Sequence, residues 1–123
     1  MKIAISSTGK DLENEVDTKF GRCPYFLIVE IENKEIKNVQ AIENITANQR
    51  GKAGITSAEI IAKEKVNAVI TANLGPRAFS VFEQFEINIY QGQGKISDVV
   101  QRFIDGELAE MKNSEKMDCE KNI

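Results

Sequence analysis

The stretch YFLIVEIENKEIKNVQAIE, residues 25–43, decides the fold. Its first half alternates: Tyr25, Leu27, Val29 and Ile31 fall on one face of a strand, as a side-chain period of two requires. Asn33 and Lys34 then form a two-residue turn, with Asn33 suited to positive φ. The second half, EIKNVQAIE (35–43), returns as the other arm of a hairpin. Its ragged pattern predicts a bulge or an edge position. Upstream, KIAIS (2–6) reads as a short apolar strand buried on both faces. If strands one and two lie antiparallel, the third strand ends at the same end of the sheet as the first.

The remaining elements follow from period and punctuation. In AGITSAEIIAKEK (53–65), Ile55, Ala58, Ile61 and Ala62 share one helical face. VNAVITA (66–72) is a buried strand, and NLGP (73–76) ends it, with Pro76 suited to a first helical position. PRAFSVFEQF (76–85) sets Phe79, Phe82 and Phe85 along one stripe, read as core. INIYQG (87–92) is the fifth strand. Ser97 is expected to cap a last helix behind Ile96, with Val99, Val100, Phe103 and Ile104 facing inward and Gly106 near its end. The domain is expected to span residues 1–108, and residues 109–123 read as a polar, flexible tail.

The order β-β-β-α-β-α-β-α describes an α/β domain with one hairpin and later crossovers. Because β-α-β crossovers join parallel strands, residues 6–24, 43–54, 72–76 and 91–95 should all lie at one end. Open α/β sheets bind ligands beyond the carboxyl ends of their parallel strands. Two helices should start there beside Gly54 and Gly75, whose backbone N–H groups suit an anion, with Arg22, Arg50 and Lys52 as nearby cations. The candidate binding residues are therefore Arg22, Cys23, Gly51, Lys52, Gly54, Asn73 and Gly75. Each has a plainer reading. The glycines make turns, and Arg22 pairs with one of the 19 acids. The acids Asp11, Glu13, Glu15 and Asp17 form a solvated loop. Cys23 admits three readings: a small buried hydrophobe, a soft ligand for iron, or a thiol activated by Arg22.

Composition prunes the chemistry. The net charge of −3 gives no basic field for nucleic acid or acidic membranes. No apolar run approaches the roughly 20 residues that cross a bilayer, and the opening MKIAISSTGKD turns polar too soon for a signal peptide. A cytoplasmic protein is the expectation. There is no histidine, which removes histidine-dependent nucleophiles and most zinc sites. The two cysteines, Cys23 and Cys119, cannot complete a four-cysteine cluster within one chain.

At FGRCPYF, AGITSAEIIA, VNAVITANLGPRAF and DGEL the sequence resembles the dinitrogenase iron–molybdenum cofactor biosynthesis family, over roughly residues 1–108. The resemblance implies a ribonuclease H-like topology. Its sheet would be mixed and five-stranded, in order 3-2-1-4-5, with strand two antiparallel and helices on its faces. It further implies a non-enzymatic carrier of an iron–sulfur or iron–molybdenum-type cofactor precursor, exchanging it with a donor or acceptor protein. The family's F-G-R segment falls on Phe20, Gly21 and Arg22, its A-G-I segment on Ala53, Gly54 and Ile55, and its G-P turn on Gly75 and Pro76. Where such carriers commonly have histidine, this chain has Gly51-Lys52, so Cys23 is the remaining soft metal donor near the rim. The alternatives are a metal-free interaction module and a hydrolase of phosphate compounds clamped by Arg22 and Lys52. No base or nucleophile is apparent for the last, and KIAIS lacks the first-strand carboxylate of ribonuclease H-type nucleases.

Overall fold

A computed structural model describes residues 1–45 and 53–112 of the chain. Gly51, Lys52, Arg50 and Cys119 lie outside the described residues. The elements are β1 (Lys2–Ser7), a 3-10 turn (Phe20–Arg22), β2 (Tyr25–Glu32), β3 (Glu35–Glu43), α1 (Ala53–Lys63) and β4 (Ala68–Thr71). After these come α2 (Pro76–Gln84), β5 (Asn88–Gln91), α3 (Ile96–Ile104) and β6 (Ala109–Glu110).

The sheet order is β3-β2-β1-β4-β5-β6. β1 pairs antiparallel with β2, placing Ile5 opposite Leu27, and parallel with β4, placing Ile5 beside Ile70. The antiparallel start and the order of the first five strands agree with the sequence reading. The expected count of five does not hold. β6 adds a sixth strand, antiparallel to β5, inside the stretch read as tail. Two residues give no periodic signal. This strand exists because β5 offers a free edge and Met111 anchors it, buried and donating its N–H to the Ile89 carbonyl at 2.7 Å.

Strict alternation splits the strands between two apolar layers. Ala4, Phe26, Ile28, Val69 and Ile89 face one side, where Ala58 and Ile61 of α1 and Ala78 and Phe82 of α2 cover them. Ile3, Ile5, Leu27, Val29, Ile31 and Ile70 face the other, under Val99 and Val100 of α3. Two helices on one face and one on the other make a three-layer α/β/α domain.

The hairpin turn is as expected: Asn33 and Lys34 have φ of 52° and 65°, the left-handed pair that matches strand twist. The ragged second arm is both a bulge and an edge. Asn38 faces Glu30 and Ile36 faces Ile31, which leaves Lys37 as the extra residue on the outermost strand.

Two local expectations are corrected. α3 starts at Ile96 with Lys95 as its N-cap, so Ser97 is an inner residue of the first turn and caps nothing. The phenylalanine stripe is core only in part. Phe82 is fully buried and Phe79 partly so, but Phe85 is 58% exposed. Helix α2 ends at Gln84, so the helical spacing that would carry Phe85 inward stops one residue too early.

Candidate functional site

The strand directions bring the separated loops together. Phe20 packs edge-on against Phe82 of α2 and tilted against Phe26 of β2, with ring centroids 5.5 and 5.0 Å apart. This ties the 3-10 turn to the α1/α2 face. The loop after β1 continues antiparallel to it: Ser7 bridges Val16, and Asp17 N–H donates to the Ser6 carbonyl at 2.9 Å. That loop then reaches the start of α3, where Val16 N–H donates to the Gly94 carbonyl and the N–H groups of Ile96 and Ser97 donate to the Asn14 and Leu12 carbonyls. Asn73, after β4, donates its side-chain amide to the Thr18 carbonyl at 3.4 Å. The ends of β1, β4 and β5 are thus joined as one rim.

Arg22 closes the 3-10 turn and is exposed. It lines an open groove of about 790 Å³ with Thr8, Glu15, Asp17, Thr18 and Lys19. The groove mixes two cations with two acids, so its field is less positive than the sequence suggests. The acids of this loop also build it. Asp11 and Asp17 accept backbone N–H groups from Glu13 and Lys19, and Glu13 pairs with Lys95 at 3.0 Å on the surface.

Gly54 is half-buried in α1, and a Cβ there would sit 3.8 Å from the Ala78 Cβ, an ordinary contact with α2. Gly75 is the exposed N-cap of α2, φ −72°, with open space where a Cβ would go. Neither position requires glycine on steric grounds. Asn73 is exposed beside them. The rim therefore collects Arg22, Gly54, Asn73 and Gly75, as the strand directions imply.

Cys23 takes the buried one of its three readings. It is fully buried within the layer that holds Phe20, Phe26 and Phe82. Its thiol donates to the Phe20 carbonyl at 3.2 Å. Burial pushes the thiol up to about 12 from an ordinary 9.0; the Ser7 N–H and the Asn44 amide oppose this, and the Asp17 charge adds to it. In this conformation Cys23 is a protonated core group closed to a metal, a poor fit to a cluster ligand. Among the described residues no three His, Cys, Asp or Glu side chains gather to hold a metal ion.

Sequence reasoning missed the polar groups that hold the rim. Ser6, Ser7, Asn44, Ser57 and Thr71 are all buried. Ser6 Oγ donates to the Asp17 carbonyl at 2.9 Å and shares a 2.8 Å hydrogen bond with Thr71 Oγ1, which also lies 3.4 Å from the Asn73 carbonyl. The signal was present: KIAIS and AVIT each end a buried strand on a hydroxyl, and pairing Ile5 with Ile70 sets those ends side by side. Asn44 gave no local signal, since its partners lie at residues 21, 23 and 57.

Fold and site together define a small three-layer α/β domain whose parallel strands end in one polar rim. The family pattern described as dinitrogenase iron–molybdenum cofactor matches residues 1–106. The chain belongs to that family. It is 44% identical over 109 residues to an uncharacterised protein of Methanocaldococcus jannaschii, covering 88% of this chain and 89% of the other. A second protein of that organism is 35% identical over 114 residues, covering 92% and 96% of the two chains. The crystal structure of that second protein superposes with a TM-score of 0.73. The apo form of the orange protein from Desulfovibrio gigas superposes with a TM-score of 0.82 at 28% identity, covering 91% of this chain and 93% of that one. Among the described residues no helix is long and apolar enough to cross a membrane.

Proposed function

We propose that this protein is a non-enzymatic carrier that binds an anionic iron–sulfur or iron–molybdenum-type cofactor precursor and passes it between partner proteins. The observation that carries the reading is the gathering of the Arg22 turn, the start of α1 and the Asn73–Pro76 turn at the carboxyl ends of β1 and β4. Membership of a family named for the iron–molybdenum cofactor supplies the class of cargo. With Cys23 closed off, the described residues offer the cargo charge from Arg22 and Lys19 and N–H groups at the start of α2. Lys52 and Gly51 belong to the same reading by sequence position.

The test is anaerobic purification followed by metal analysis, then reconstitution with ferrous iron and sulfide. The carrier reading expects brown protein whose bound iron falls when Arg22 becomes Glu. It expects Cys23→Ala to retain iron. Loss of iron in Cys23→Ala with Arg22→Glu unaffected would return the thiol to the role of ligand. Wild-type protein that takes up no iron or molybdenum would remove the carrier reading.

A second reading is a metal-free interaction module using the same rim. The buried, protonated Cys23 thiol favours it. Capture of one stoichiometric partner by metal-free protein would support it.

A further inference from the structure

Asn44 leaves β3 at the start of the connection to α1, and it is only 4% exposed. Its backbone N–H donates to the Pro24 carbonyl at 2.9 Å, which already extends the β2–β3 ladder past the strand end. The side chain does something the ladder does not need. Nδ2 donates to the Cys23 carbonyl at 2.8 Å and to the Gly21 carbonyl at 3.3 Å. Oδ1 accepts from Ser57 Oγ on α1 at 3.2 Å. One planar amide thus connects the turn that carries Arg22, the entry to β2 and the first turns of α1. Only a group with donors on one side and an acceptor on the other can do this. An aspartate would set a charged oxygen against two carbonyl oxygens. A leucine would leave both carbonyls without this donor.

We infer that Asn44 is a positioning residue that fixes the spacing between the Arg22 turn and the amino-terminal turns of α1, so that the two move as one wall of the site. The inference rests on the carrier reading only where it identifies that wall with the cargo-binding side. The clamp itself stands on the hydrogen bonds. Its consequence is that a change on α1 is felt 35 positions earlier in the chain, from Ser57 to Arg22, through a single side chain.

The test uses the full chain with Cys119→Ser as background, so that Cys23 is the sole thiol. Amide hydrogen exchange at Arg22, whose N–H donates to the Lys19 carbonyl at 3.1 Å, is read alongside the rate of Cys23 alkylation. Ser57→Ala should raise both several-fold, with Val29 and Ile31 in the hairpin changed less than about two-fold, and Asn44→Asp should raise both roughly ten-fold or more. Iron uptake from ferrous iron and sulfide should fall in Asn44→Asp. Ser57→Ala protein in which Arg22 exchange and Cys23 alkylation match the background would overturn the clamp. So would equal acceleration at Val29 and Ile31 in Ser57→Ala protein, the mark of general destabilisation. Should Asn44→Asp fail to fold, Ser57→Ala decides alone. Should wild-type protein take up no iron or molybdenum, the carrier reading fails while the exchange result still judges the clamp.

Discussion

The two ends of the sheet are held by different physics. At the end where β1 and β4 finish lie all five buried polar side chains among the described residues: Ser6, Ser7, Asn44, Ser57 and Thr71. At the opposite end lie all four non-glycine residues with positive φ among the described residues: Asn33, Lys34, Lys65 and Glu86. One end is joined by side chains reaching across the fold. The other is turned by tight left-handed residues, and the side chains that cross it are not buried: Lys2 Nζ donates to the Glu64 carbonyl at 3.0 Å and the exposed Asn67 accepts the Lys2 N–H through Oδ1 at 2.8 Å. Tight turns give short connections at a backbone cost of about 1–2 kcal/mol per left-handed L-residue. Side-chain clamps leave longer loops free to present groups to a ligand, but each buried donor must stay satisfied. On the carrier reading proposed above, the cargo-binding rim is the clamped end.

Breaking the clamped end should produce the largest effects. Asn44→Leu leaves the Gly21 and Cys23 carbonyls without their amide donor and should destabilise the fold by about 3 kcal/mol in urea unfolding. An effect below about 1 kcal/mol would make the two ends equivalent.

The Cys23 thiol gives a pH test of the same end. Its folded pKa lies above its unfolded one, because burial disfavours the thiolate. The folded state therefore keeps its proton longer, and the associated stability is complete below the ordinary value of 9.0. It is lost as pH rises from there towards about 12, at up to ~1.4 kcal/mol per pH unit. Cys23→Ala should be flatter than wild type across that window, although less stable at neutral pH. Parallel stability curves for the two proteins would show that the thiol is not held in the protonated form.

A hydroxyl pair offers a smaller break. Thr71→Val should cost about 1–2 kcal/mol by removing the hydroxyl that pairs with Ser6, and adding Ser6→Ala should cost less than the two single changes summed. Strict additivity in the double-mutant cycle would remove the pair as a coupled unit.

The turn end should respond in the opposite direction. Lys34→Gly relieves a φ of 65° and should stabilise by under about 1 kcal/mol, with no change in ligand uptake. Thermal unfolding checks the first part and iron reconstitution the second. A loss of stability would mean that the Lys34 side chain contributes a contact worth more than the turn strain.

Much of this contrast was legible from local patterns. The period-two run from Tyr25 and the Asn33-Lys34 turn gave the hairpin. Pro76 gave the start of α2, and the crossover rule then assigned every later loop to its end. Two of the misreadings share a cause. Phe85 and Ser97 lie at element boundaries, where one residue more or less reverses which way a side chain faces. The candidate site was legible as a location but not as a mechanism of support. Gly54 and Gly75 drew attention for being glycine, yet neither is sterically required. Gly92 is not among the candidate residues, although a Cβ there would meet Val99 Cγ1 at 2.7 Å where α3 crosses the sheet.

The sequence by itself determined the first five strands, their directions and the end at which the loops meet, because side-chain period and short connections act over neighbouring residues. Tertiary structure alone decided that Cys23 is core and that Asn44 joins three segments. It alone decided that two residues after Leu108 become a strand. Each of those outcomes depends on which partners the rest of the chain delivers, and burial and hydrogen bonding between distant residues have no period to read.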